Sequence, residues 1–122
     1  MRILNRPPNI IRTFPQAFDF EGWEDYVLDA LHNGSQIAYY GRGIPRDVTP
    51  PAWLYLIHRG LLVAKHRIVE MEHYKPAREM TCWTGQRMMT NGCVVCEGML
   101  QYPDIPIPKR GFQGYRYCAD LF

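Results

Sequence analysis

The chain has 122 residues, carries a formal net charge of +2, and is 47% hydrophobic. This length is that of one domain and allows a single hydrophobic core. The longest apolar stretch, residues 53–64, is shorter than the ~20 residues that a membrane-spanning helix needs. We therefore expect one domain over residues 1–122 and no transmembrane helix.

Residues 1–18 contain Pro7, Pro8 and Pro15 and show no helical period. This pattern predicts a short strand at Arg2–Leu4, followed by an irregular crossing that ends at residue 18. The N-terminus also lacks an apolar run of about 7–15 residues before a small-residue cleavage site. The sequence therefore predicts no secretory signal, and we expect a cytoplasmic protein.

Residues 19–33 have the spacing of an amphipathic helix. Apolar side chains recur at i, i+3, i+4, i+7 and i+8, at Trp23, Tyr26, Val27, Ala30 and Leu31. Asp19 can cap the first turn, and Asn33-Gly34 supplies a stop signal. We predict a helix over residues 19–33, before a β-rich remainder.

Residues 34–122 read as strands and turns. Ser35–Tyr40 alternates like a strand, and the proline- and glycine-rich residues 41–51 are predicted to form a loop. Trp53–Ile57 and Leu61–Met71 flank His58-Arg59-Gly60, which favours a hairpin. A short helix, capped by Thr49 and stopped by Gly60, is the alternative for the first arm.

The rest of the chain predicts an irregular stretch and two more strands. Glu72–Asn91 is polar without a sustained period, and Asn91-Gly92 is a turn signal. Cys93–Leu100 and Phe112–Cys118 read as strands, joined by an extended crossing over Tyr102–Pro108. The predicted fold class is α+β: a small, curled, mostly antiparallel β-barrel over residues 34–122 with an N-terminal amphipathic helix.

Cys93-Val-Val-Cys96 has the spacing of a zinc knuckle or a redox pair. Val94 and Val95 are β-forming, however, and a strand places thiols three residues apart on opposite faces. Cys82 and Cys118 complete a four-cysteine set only if the fold brings them together. We predict buried hydrophobic cysteines, no metal site, no cofactor and no catalytic residue.

Charge and aromatic residues give the functional hypothesis. Residues 1–34 hold three arginines against five acids, a balance of −2, which leaves +4 for the remainder. Arginine suits phosphates and base edges, and aromatic rings stack on unpaired bases. The two residue types occur together at residues 39–42, 53–59, 83–87 and 110–116.

Several segments resemble the PUA-like superfamily, especially its ASCH and EVE branches. The similar strings are Gly34-Ser-Gln-Ile-Ala-Tyr-Tyr40, Tyr55–Lys65, Cys93–Leu100 and the closing Pro106-Ile-Pro…Gly111-Phe-Gln-Gly-Tyr-Arg-Tyr117. The resemblance implies a small barrel that binds RNA or modified DNA bases in an aromatic pocket between its loops. The chain lacks the tryptophan-centred G-V-R-N loop common in EVE proteins.

The resemblance also implies where a ligand would bind. The pocket should be reached by residues 40–46 and the turn at Arg59, with Gln113 and Arg116 contacting base edges or phosphates. We therefore predict a non-catalytic module that binds nucleic acid or a nucleotide. Its predicted binding residues are Tyr40, Arg42, Arg46, Arg59, Lys109, Arg110, Gln113 and Arg116.

Two alternatives remain open from the sequence. Some ASCH proteins hydrolyse modified nucleosides, and Lys65 with Glu70 or Glu97 would be the candidate residues for that chemistry. An inhibitor or adaptor from a mobile element is the other alternative. Its docking surface would be the acidic face of the helix, at Glu21, Glu24, Asp25 and Asp29.

Overall fold

The computed structural model describes residues 8–122, which form one α-helix and seven β-strands. The α+β class predicted from the sequence is confirmed. In chain order the elements are β1 (Asn9–Thr13), α1 (Phe20–His32), β2 (Ile37–Tyr40), β3 (Ala52–His58), β4 (Leu61–Thr81), β5 (Arg87–Gln101), β6 (Ile107–Pro108) and β7 (Tyr115–Cys118).

All seven strands belong to one mixed sheet. Its order is β2-β5-β4-β3-β1-β7, and β6 pairs with the start of β4. The pairing is antiparallel except between β1 and β3, which are parallel. The hydrogen-bonded ladder is not closed, because β2 and β7 are its two edges within residues 8–122.

The N-terminal prediction was wrong for residues 9–13. The strand predicted at Arg2–Leu4 lies outside the described residues, and the predicted irregular crossing instead contains β1. This strand lies between β3 and β7, so Ile10 and Ile11 are both buried, on opposite faces of the sheet. Pro8 and Pro15 flank the strand rather than interrupt it, which is where prolines are tolerated.

The helix prediction is confirmed. The Asp19 carboxylate caps α1 by accepting a hydrogen bond from the Gly22 amide at 2.9 Å. Trp23 and Val27, one turn apart, are buried against the sheet. The amphipathic spacing therefore identified both the helix and the face that it buries.

The predicted hairpin is also confirmed, and the alternative helix over its first arm is wrong. His58 pairs with Leu61, so Arg59 and Gly60 alone form the turn. Their φ angles are both positive, at 53° and 74°, as in the type I′ turn that commonly joins the strands of a two-residue β-hairpin. Trp53–Ile57 and the start of β4 consequently lie at the centre of the sheet.

The prediction of an irregular stretch over Glu72–Asn91 was wrong. β4 continues to Thr81 and β5 begins at Arg87, so these residues form the outer half of a long hairpin. The predicted turn at Asn91-Gly92 lies inside β5, where Gly92 pairs with His73. Most of the side chains in these strands are polar and exposed, so the sequence has no hydrophobic period there. The strands are held together by backbone pairing instead.

The sheet has a hydrophobic cluster on each face. The larger one contains Ile10, Leu54, Leu56, Ile68 and Val94 and packs against α1. Trp83, at the tip of the β4–β5 hairpin, folds over the start of the helix, and its ring centroid is 5.5 Å from that of Trp23. The smaller cluster lies under residues 107–122 and is centred on Tyr55, Ile57 and Leu62.

His66 is fully buried in the larger cluster, and both of its ring nitrogens are satisfied. Nδ1 lies 2.8 Å from the Tyr39 hydroxyl, and Nε2 lies 3.0 Å from the Gly98 carbonyl oxygen. A carbonyl can only accept, so Nε2 carries the proton and Nδ1 accepts from Tyr39. Burial lowers the pKa of His66 to about 4, from an ordinary value of 6.5.

The stability of the protein should therefore fall as the pH is lowered from 6.5 towards 4. In this range the unfolded chain binds a proton at His66 that the folded chain does not, so acid favours unfolding by about 3 kcal/mol from this group. Denaturant titrations at several pH values measure the effect. In His66→Gln, which can keep both hydrogen bonds, the dependence should be shallower; an unchanged slope would contradict the assignment.

Gly92 should not tolerate a side chain. A Cβ at this position would overlap the backbone carbonyl oxygen of Glu72 on the paired strand. We expect Gly92→Ala to lower the free energy of unfolding by more than about 2 kcal/mol. Gly98→Ala is the control, because Gly98 has a φ of 84° but open space around it, and it should cost about 1 kcal/mol. Equal losses in the two variants would show that the close approach is unimportant.

Candidate functional site

A cleft of about 230 Å³ opens where the end of β2 faces β1 and β7. Its walls carry two arginines, Arg12 and Arg42, and two tyrosines, Tyr40 and Tyr115. None of the described residues that line it is acidic. The cleft therefore combines positive charge with aromatic surface at the gap between the two edges of the sheet.

Arg12 lies between the two edge strands. Its Nη1 donates to the Tyr40 carbonyl oxygen at 3.3 Å and to the Tyr115 hydroxyl at 3.2 Å. Its guanidinium carbon is 5.3 Å from the ring centroids of both Phe14 and Tyr115. These contacts hold the Arg12 cation in the wall of the cleft. An arginine with a mobile side chain would lose conformational entropy on binding an anion, whereas Arg12 is already ordered.

The Tyr115 side chain extends from β7 to the backbone of β2. Its hydroxyl lies 3.4 Å from the Tyr39 carbonyl oxygen and 3.5 Å from that of Tyr40. Burial raises the pKa of the Tyr115 phenol, and the Arg12 guanidinium only partly opposes this shift, so the phenol stays neutral. Gly41 allows the approach, since a Cβ there would lie 3.1 Å from the Tyr115 ring.

The loop that follows β2 is held at its first residue. The buried Thr90 hydroxyl on β5 accepts from the Gly41 amide at 3.1 Å and lies 2.7 Å from the Gly41 carbonyl oxygen. Arg42 follows directly and is exposed, whereas Tyr40 is half-buried. The wall of the cleft is thus anchored to β5, while the Arg42 side chain faces solvent.

The structure places two of the eight predicted binding residues, Tyr40 and Arg42, in the cleft. The other six do not line it. Arg46 is exposed later in the same loop. Arg59 is held at the β3–β4 turn, where its Nε donates to the Gln16 carbonyl oxygen at 3.1 Å.

The remaining predicted residues lie along the segment that leads into β7. Lys109, Arg110 and Gln113 are exposed there, and the Lys109 amide donates to the Gly60 carbonyl oxygen. Arg116 lies on β7 one residue after Tyr115, so its side chain is on the opposite face of the strand. Its guanidinium stacks 4.1 Å from the Phe112 ring centroid instead of joining the cleft.

Sequence reasoning missed Arg12, Met88 and Tyr115 as lining residues. Arg12 lies in a segment that the sequence predicts to be irregular, which gives its side chain no assigned direction. The alternation within Asn9–Thr13, had it been recognised as a strand, would have placed Arg12 on the same face as Ile10. Nothing local in the sequence indicates that β2 lies opposite this strand.

The cysteines do not line the cleft. Cys96 packs in the larger core, whereas the Cys93 thiol points to the other side and contacts Tyr74 and Glu72, which confirms the predicted opposite faces. Burial raises the pKa of both thiols. All four cysteines lie in the described part of the chain and are free.

Lys65, the candidate of the hydrolase alternative, is enclosed by aromatic rings. Its Nζ lies 4.3 Å from the Trp53 ring centroid and 4.9 Å from that of Phe122. It donates to the Phe122 backbone oxygen at 2.6 Å. Glu97, its proposed partner, instead accepts a hydrogen bond from Gln36 at 3.4 Å.

Comparisons of the chain with protein families, with curated proteins and with solved structures find no match. Among residues 8–122, no helix has the length and apolarity required to cross a bilayer.

Proposed function

We propose that the protein is a non-catalytic domain that binds nucleic acid or a nucleotide, with the cleft between β2 and β7 as its binding site. The observation that carries this proposal is the convergence of Arg12, Arg42, Tyr40 and Tyr115 around a cleft whose described lining has no acidic residue. Phosphate is attracted by the two guanidinium groups, and an unpaired base can stack on an aromatic ring.

The dimensions favour one unpaired nucleotide as the bound unit. A cleft of about 230 Å³ is smaller than the pockets of about 300–1,000 Å³ that enclose drug-sized ligands. One base or one phosphate therefore enters, and the remainder of a strand lies outside, near the exposed Arg42. Arg12 is preorganised for this role because its hydrogen bonds and ring contacts are already made.

We propose further that the sheet is a PUA-like barrel whose closure is completed by side chains. Arg12 and Tyr115 span the gap between its two edges, which supports this reading. The segment that leads into β7 is held to β1, beside this gap. Gly111 lies close to Thr13, where a Cβ would be 2.9 Å from Cγ2, and the Phe112 amide donates to the Thr13 hydroxyl at 3.1 Å.

Titration with labelled oligonucleotides at low salt tests the function. The panel should contain single-stranded RNA and DNA, duplexes, strands with modified bases and mononucleotides, and we expect single strands or nucleotides to bind best. Affinity should fall as salt is raised, because phosphate contacts release counterions. Failure of the whole panel to bind at low salt would refute the proposal.

A matched pair of arginine variants tests the location. Arg42→Ala should weaken binding by about tenfold, because it removes a charged contact at the cleft. Arg116→Ala removes the same charge from the opposite face of β7 and should change affinity little. The reverse pattern, with the loss at Arg116 alone, would place the ligand on the other face of the sheet.

A further inference from the structure

A second concave surface, a groove of about 510 Å³, lies between α1 and the end of β5. Its floor is apolar and is formed by Val27, Leu28 and Leu31 from the helix and by Met99 and Leu100 from the strand. Leu28 is 44% exposed and Met99 is 61% exposed. Single exposed apolar residues are normal, but Leu28 and Met99 line one groove and together offer it a local apolar surface.

The rim of this groove is acidic. Glu21, Glu24 and Asp25 line it, and none of the described lining residues is basic. The whole of α1 contains no lysine or arginine. One carboxylate is already positioned, since Glu24 accepts a hydrogen bond from the Tyr102 hydroxyl across the groove. An occupant must therefore present apolar side chains to the floor and positive charge to the rim.

We propose that this groove docks a cationic amphipathic segment of a partner protein, in which lysine or arginine flanks leucine-like residues. Such a segment matches both the floor and the rim, as in helix-in-groove recognition. Nucleic acid is disfavoured, because phosphates would face three carboxylates. A two-fold pairing of two copies through this groove is disfavoured too, because the same acids would then face one another.

The groove is separate from the cleft that the nucleotide is proposed to occupy. It is formed by α1 and the end of β5, whereas the cleft is formed by β1, β7, the end of β2 and Met88 at the opposite end of β5, and the two share no lining residue. The two surfaces also carry opposite charge. The docking inference therefore does not depend on nucleic-acid binding, and either can fail without the other.

The test is binding of a labelled synthetic peptide of about 14 residues, with leucine at i, i+3, i+4 and i+7 and lysine elsewhere. Fluorescence anisotropy should show saturable binding that weakens with added salt. A peptide with glutamate in place of lysine should not bind, and one of the same composition in scrambled order should bind much less. Absence of binding by the amphipathic lysine peptide overturns the proposal.

Two matched pairs of variants locate the peptide, all at exposed positions that the fold tolerates. Met99→Ser should weaken binding by about tenfold, whereas Ile105→Ser, at a still more exposed apolar residue outside the groove, should not. Asp25→Lys should weaken binding more than Glu70→Lys, which makes the same charge change elsewhere. Equal effects within both pairs would mean unspecific attraction and would overturn the proposal.

Sedimentation velocity tests whether a second copy of this chain occupies the groove. The wild-type protein should be monomeric at the concentrations used for peptide binding. If it self-associates instead, and Met99→Ser abolishes the association, then the groove is occupied by a second copy of this chain and the proposal is overturned.

Discussion

The parallel pairing of β1 with β3 determines where the two edges of the sheet approach each other. Asn9 holds the start of this pairing, since its buried side chain accepts from the Trp53 amide at 2.9 Å and donates to Asp120 at 2.7 Å. With the register fixed, Arg12 pairs with Tyr115 on β7, and both side chains extend towards β2. The positions of Arg12 and Tyr115 in the cleft follow from that alignment.

The same sheet carries two surfaces of opposite character. The cleft gathers arginine and tyrosine at the gap between the edges, and the groove gathers carboxylates around an apolar floor beside the helix. The buried His66 links β4 to β5, because its Nε2 donates to the Gly98 carbonyl oxygen where the register of the two strands shifts. A buried, fully paired histidine of this kind keeps an irregular pairing unique.

The elements that could be predicted are those whose signals are local. The helix follows from the Asp19 cap and the spacing of Trp23 and Val27, and the first hairpin follows from Gly60 between two apolar arms. Strand β1 was missed because it has only five residues and the prolines on either side of it indicate an irregular segment. The outer β4–β5 hairpin was missed because a strand pair with polar, exposed side chains has no hydrophobic alternation to detect.

The candidate site was predicted only in part for a different reason. Tyr40 and Arg42 stand in a conspicuous aromatic and arginine cluster, but Arg12 meets Tyr40 across 28 residues and Tyr115 across 103. Contacts of this separation depend on the topology of the whole sheet rather than on any short pattern. The grouping of arginines by sequence proximity therefore placed Arg116 with the site, although it faces the other way.

The pairing of Asn9 with Cys118 brings together nearly the full length of the described chain. Closing so long a loop costs entropy, so we expect the β1–β7 pairing to form after the local pairing of β3, β4 and β5. Arg12 and Tyr115, which this pairing aligns, both line the cleft. A chain that has not yet added β7 leaves Arg12 without Tyr115, so the wall of the cleft is complete only once that strand is in place.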